Sequence, residues 1–194
     1  MFGSKFRVVA LPVAAVGALA LAGLTAGQAN AETIASGTGT FTVPLSVETA
    51  LAHSGVVVVS SGAASSSYDN TTKTFTVVYT ATGGDADVSN FDGTVDYSGS
   101  VKVVNVFNGK SVTLSTLQLD LLDDQIDLTA KGTASPYLDL AGTQSAAING
   151  ASQSVSASEL DLDAAGADSL NKALGTCAFS AGTDFGSFTT TYSS

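Results

Sequence analysis

Four aspartates fall within eight residues, at Asp120, Asp123, Asp124 and Asp127. Hard cations such as Ca²⁺ take several oxygens at once, and closely spaced carboxylates supply them. The spacing has a plainer reading: Asp120 ends one strand, Asp123-Asp124 turns the chain, and Asp127 points outward from the next strand. Asp161-x-Asp163-x-x-Gly166 imitates the start of a calcium-binding loop. Its fifth position would be Ala165 and its twelfth Lys172, neither of which fits as a ligand, so Asp161 reads as an outward strand residue and Asp163 as a turn or cap.

His53 is the only histidine and Cys177 the only cysteine. A Cys₂His₂ or Cys₄ zinc site is therefore impossible, and so is an intramolecular disulfide. His53 is the sole imidazole for a metal or haem ligand, or for a general base. Tyr68, Tyr79, Tyr97, Tyr137 and Tyr192 carry phenols that can ligate haem iron. Tyr79 and Tyr97 sit in apolar alternation and are expected to pack in or beside the core, whereas Tyr68 lies in a polar loop and is expected to be exposed. Cys177, beside Ala178-Phe179, reads as a buried small apolar residue; exposed, it would be open to intermolecular disulfide formation. No nucleophile, base and orienter can be assembled, and with no Trp a sugar cleft lacks its usual platforms, so the chain reads as non-catalytic.

Period-two alternation dominates the elements that must position these groups. Phe41-x-Val43-x-Leu45, Val56–Val59, Thr74–Tyr79, Thr94–Tyr97 and Ser100–Phe107 read as strands. Asn108-Gly109 is the strongest hairpin signal, because both residues tolerate positive φ. Val112, Leu114, Leu117, Leu119 and Leu121 follow, then Ile126, Leu128 and Ala130 after the Asp123-Asp124 turn. Later strands cover Tyr137–Leu140, Ser154–Leu162 and Phe185–Tyr192. One segment changes period: Ala167, Leu170, Ala173 and Leu174 share a helical face, Asp163 or Asp168 can cap it, and Gly175 can stop it. The expectation is a mostly β chain, an antiparallel sandwich or curved sheet, with one short helix near Ala167–Leu174.

The chain has 194 residues and a net charge of −10, with seven basic and seventeen acidic side chains. Clustered Lys and Arg are missing, which excludes nucleic acid as a partner. Lys5 and Arg7 precede an apolar run, Val8–Leu24, which leads to small residues at Ala29 and Ala31. That pattern predicts a secretory signal over residues 1–31, cleaved after Ala31. Residues 32–194 then form one extracellular domain with five basic and seventeen acidic residues, a net of −12, and no second apolar segment to anchor it in a membrane.

Two stretches carry a family resemblance. Gly93-Thr-Val-Asp-Tyr-Ser-Gly-Ser-Val101 is similar to the central strand pair, and Ala178-Phe-Ser-Ala-Gly182 to the closing turn, of the haem-transport-associated (HtaA-type) domains of secreted actinobacterial proteins. The resemblance implies a β-rich domain that captures haem outside the cell. It also implies iron held by a Tyr from an early segment, assisted by a His in the turn after the Gly-Ser-Val strand. Neither residue carries over. The early segment falls near Thr42–Ala50 and has no Tyr, with Phe41 in place of the family's Trp. The later turn, Val103–Lys110, has no His. His53 follows the Tyr region without coinciding with it, and Lys110 is a poor donor when protonated. Two function classes result: a secreted binding domain related to haem capture, with His53 as the one substitute cofactor ligand, or an inert structural or interaction protein of the cell envelope.

Overall fold

The computed structural model describes residues 32–194 apart from Lys131. The expected signal segment lies outside the described residues. The elements run β1 (Glu32–Thr33), β2 (Ser36–Pro44), α1 (Leu45–His53), β3 (Val56–Ser61), β4 (Ser65–Asp69), β5 (Thr74–Asp87), β6 (Asp92–Asn105), β7 (Ser111–Asp120), β8 (Gln125–Ala130), β9 (Thr133–Asn149), β10 (Ser152–Leu162), α2 (Ala164–Leu174) and β11 (Ser187–Ser193).

The strands pair antiparallel in the order β5-β2-β11-β10-β9-β8-β7-β6, and β6 returns to β5. The ladder from Thr80↔Ser98 to Asp87↔Asp92 makes that last join. The sheet is therefore a closed eight-stranded barrel with extra strands, which corrects the expectation of a sandwich or open curved sheet. Closure pairs edges that a sandwich would leave open.

The seam between β5 and β6 closes at one end only. Toward the other, β5 pairs β4 and β6 pairs β3, so the β3–β4 hairpin fills a fork between them. Gly99 makes the fork possible. Its φ is 122°, and a Cβ there would lie 2.8 Å from the backbone nitrogen of Ala64. β6 is consequently one bent strand, not the two separate strands, Thr94–Tyr97 and Ser100–Phe107, that the alternation suggested.

Inward positions follow the alternation, with Val95, Tyr97 and Val103 buried on β6. On β7 the buried set slips from Val112 and Leu114 to Leu117 and Leu119. Thr116, at φ 51°, is the residue that slips the register against β8. Such bulges bend strands around barrels. Phe41 meets Phe188 at a centroid distance of 4.8 Å and Tyr79 edge-on at 5.5 Å. Tyr79 and Tyr97 are buried and Tyr68 is exposed, as the sequence implied, but Tyr68 lies on strand β4, paired with β5, and not in a loop.

α2 begins at Ala164, earlier than expected, because Asp163 caps it: its carboxylate accepts from the Ala165 backbone N–H at 2.6 Å. Gly175, at φ 60°, ends it in the left-handed conformation. Gly166 lets α2 approach β9, where a Cβ would come within 2.8 Å of the Tyr137 backbone. The second helix, α1, corrects the expectation of a single one. It has no buried residue and no side-chain cap, which is why it leaves no strong helical pattern. Among the described residues no helix is long and apolar enough to cross a membrane.

Candidate functional site

α1 and the irregular stretch 176–186 face each other at the end of the barrel that carries both helices. Between them is an open cleft of about 290 Å³. Val47, Ala50 and Leu51 line it from α1, and Ala178, Phe179 and Phe185 from the opposite wall. Ser46, Ser54 and Thr183 are its polar lining. Val47, Ala50 and Leu51 stand at i, i+3 and i+4, the short apolar stripe that is the only trace of this face in the sequence.

The opposite wall is held by side chains of the elements beside it. The Asn171 amide of α2 donates to the Phe179 carbonyl at 2.7 Å, and its oxygen accepts from the Phe179 N–H at 3.1 Å. Asp184 accepts from the Gly186 N–H at 2.7 Å. Phe185 donates its N–H to the Leu160 carbonyl at 2.7 Å, tying the wall to β10. The Ala178–Gly182 stretch that carried the resemblance is thus one wall of the cleft.

Behind that wall, inside the barrel, is a cavity of about 130 Å³. Phe179 and Phe185 line both spaces. Their rings are nearly parallel, 11° apart in plane and 6.5 Å between centroids.

His53 is the last residue of α1 and is exposed. It stands seven positions after Ser46, two helical turns along the same side, and is not part of the cleft lining. The turn between β6 and β7 does other work. Asn105 and Asn108 both donate to the Leu174 carbonyl, at 3.2 and 2.9 Å, and so satisfy the end of α2. Lys110 lies against Gly175 there, a favourable place for a cation at a helix C-terminus.

No tyrosine lines the cleft. Tyr97 donates to Thr190 in the core, Tyr137 shares a hydrogen bond with Ser169, and Tyr192 is buried. Burial raises the Tyr79, Tyr97 and Tyr192 phenols well above their ordinary value, which disfavours the phenolate that iron would need.

Cys177 is exposed, which corrects the expectation of a buried thiol: it precedes the cleft wall, and Phe179 fills the core position instead. Asp120, Asp123, Asp124 and Asp127 surround the β7–β8 turn at the far end of the barrel. Asp120 there accepts from the N–H groups of Leu122 at 2.9 Å and Asp123 at 3.3 Å. Asp161 lies on β10, bridged to Asp184. Among the described residues no group of three or more His, Cys, Asp or Glu side chains is placed to hold a metal ion.

No family model and no curated protein sequence matches the chain. Solved structures do. The C-terminal domain of HtaA from Corynebacterium glutamicum superposes with a TM-score of 0.57 over 83% of this chain and 98% of that one, at 13% identity. The fold is that of the HtaA C-terminal domain. A domain-swapped dimer of a variant of the same HtaA domain matches with a TM-score of 0.50 over 77% of this chain and 91% of that one, again at 13% identity. At such identity the HtaA likeness establishes architecture and leaves the site to its own residues. The apolar walls of the cleft suit a porphyrin face. The iron donors that an HtaA-type resemblance implies do not fit: α1 supplies one imidazole at its end and no phenol, and none of Lys73, Lys102, Lys110 and Lys172 lines the cleft to meet a propionate.

Proposed function

We propose that this chain is a secreted, non-catalytic binding domain of the haem-associated type, and that it holds a flat, largely apolar ligand in the cleft beneath α1. The observation that carries the reading is the cleft itself. Six of its nine lining residues are apolar, and the other three carry hydroxyls, with no base or carboxylate among the nine, a set suited to contact and not to bond making. Haem is the ligand class that the shared fold supports. It binds weakly here, because the lining itself offers iron no donor, and His53, outside the lining beside Ser54, is the one imidazole within reach of the cleft's edge. The net charge of −10 also opposes the propionates.

Haemin titration of the purified chain tests this. The expected result is a small Soret shift at micromolar haemin that His53→Ala abolishes and Tyr192→Phe preserves. Tight binding that survives His53→Ala overturns the donor assignment, and no shift at all removes haem as the ligand.

A second reading, an interaction protein of the cell envelope, has one observation in its favour. Val57, Val59, Val106 and Phe107 expose apolar surface around β3 and the β6–β7 turn, and Phe107 is 74% exposed.

A further inference from the structure

We infer that the cavity inside the barrel is a second subsite, which takes the aliphatic chain of a neutral, hydroxyl-headed lipid such as a long-chain alcohol or monoacylglycerol. The inference rests on the proposed function only in taking the α1 cleft as the ligand's entrance.

The cavity is walled from most of the barrel's circumference: Val77 of β5, Val103 of β6, Leu114 of β7, Leu128 of β8 and Leu162 of β10 all face it, with Leu170 of α2 closing one side. Every lining residue is Val, Leu, Phe or Tyr. Tyr137, one of the two tyrosines there, already spends its hydroxyl on Ser169 at 2.8 Å. A space of about 130 Å³ with such walls is close to the ~150 Å³ apolar cavity that stays dry and admits benzene. Water gains nothing by entering, whereas about six carbons of chain fit. Haem is far too large for it, so this subsite is distinct from the face that would hold a porphyrin.

Entry is set by the two phenyl rings. Phe179 is buried and clamped by Asn171, whereas Phe185 is only half-buried. A rotamer change at Phe185 therefore opens the cleft to the cavity without unfolding an element. The head group follows from what surrounds the mouth. Ser46, Ser54 and Thr183 offer hydroxyls in the cleft, and among the described residues neither space has a cationic lining residue. A carboxylate head would find no counter-ion among the described lining residues, on a chain of net charge −10, whereas an alcohol exchanges hydrogen bonds with the hydroxyls.

The test compares 1-decanol with decanoate, each titrated into the purified chain with thermal unfolding and displacement of a neutral fluorescent probe as readouts. Decanol is expected to raise the melting temperature and to bind at least about tenfold more tightly than decanoate. Val58→Phe, which adds bulk to the cavity from the half-buried strand β3, is expected to weaken decanol at least about tenfold and leave the haemin titration unchanged. Equal binding of decanol and decanoate, or decanol binding untouched by Val58→Phe, overturns the inference. Xenon-129 NMR on the unaltered chain gives an arm that needs no variant: saturable xenon binding displaced by decanol supports the subsite, and its absence refutes it. Decanol binding without a haemin response sinks the haem reading alone, and a haemin response without decanol binding sinks this one alone.

Discussion

Asn105, at the end of β6, donates its side-chain amide to the carbonyl of Leu174 in the last turn of α2, at 3.2 Å. The same side chain accepts from the Phe107 N–H at 3.0 Å, so one residue both folds the β6–β7 turn and caps a helix 69 positions later. Asn105 is 4% exposed, and truncating it empties a buried site and removes two hydrogen bonds, leaving the Leu174 carbonyl to Asn108 alone. Asn105→Ala is expected to lower stability by about 1–3 kcal/mol in denaturant titration. Asn108→Ala, at an exposed position with the same acceptor, is expected to cost less.

Tyr97 and Tyr192 bury similar phenols with opposite outcomes. The Tyr97 hydroxyl donates to Thr190, whereas the Tyr192 hydroxyl is buried with no hydrogen-bond partner among the described residues. Removing the Tyr97 hydroxyl costs Thr190 one hydrogen bond while it keeps its donation to the Thr38 carbonyl; removing an unbonded hydroxyl relieves a desolvation cost. Tyr97→Phe is expected to destabilise by about 1 kcal/mol and Tyr192→Phe to be neutral or stabilising by a similar amount, measured by chemical denaturation.

Asp124 gives the fold a pH dependence. Burial, then the neighbouring carboxylates of Asp120 and Asp123, push its carboxyl up to about 6. A raised acid holds its proton better in the folded state than in the unfolded one, where it titrates near 3.8. The folded chain therefore loses stability as pH rises from about 4 to about 6, and the loss is complete above that window. Asp124→Asn removes the charge and keeps a residue that tolerates its φ of 55°. Its melting temperature is expected to exceed that of the parent at pH 7.5 by about 2–4 °C and to match it at pH 4. A larger gain at pH 4 than at pH 7.5 would contradict the assignment.

The missing phenol can be supplied. Ala50 lines the cleft from the exposed side of α1, where a larger side chain displaces no core residue. Ala50→Tyr is expected to strengthen haemin binding at least about tenfold and to add a phenolate charge-transfer band in the visible spectrum. Unchanged spectra would show that the cleft is not where a porphyrin sits.

The sequence discloses the strands well because half-buried strands alternate, and Phe41, Val95, Tyr97 and Leu119 all face inward as the alternation requires. It discloses α2 for a similar reason, through Leu170, Leu174 and the stop at Gly175. Barrel closure is invisible in it. What separates a barrel from a sandwich is one ladder between β5 and β6, set by the bulges near Gly83 and Gly99, and no local pattern records which strand meets which. α1 escapes notice because its apolar face covers an open cleft instead of a core. Cys177 misleads because a small apolar type beside Ala178-Phe179 looks internal, whereas the Asn171 clamp turns Phe179 inward and leaves the thiol outside. The candidate site was legible as composition, in the lack of Tyr near Thr42–Ala50, and illegible as shape.

β11 is the last strand of the chain, and it sits between β10 and β2, the first long one. Until Ser187–Ser193 is available, β2 and β10 have no common neighbour and the ring cannot close. Closure thus waits on pairings between residues as far apart in sequence as Ser36 and Ser193, the non-local kind of contact that forms slowly. Completion of the barrel is timed by the position of one strand in the sequence, so the same residues that lock the fold also delay it.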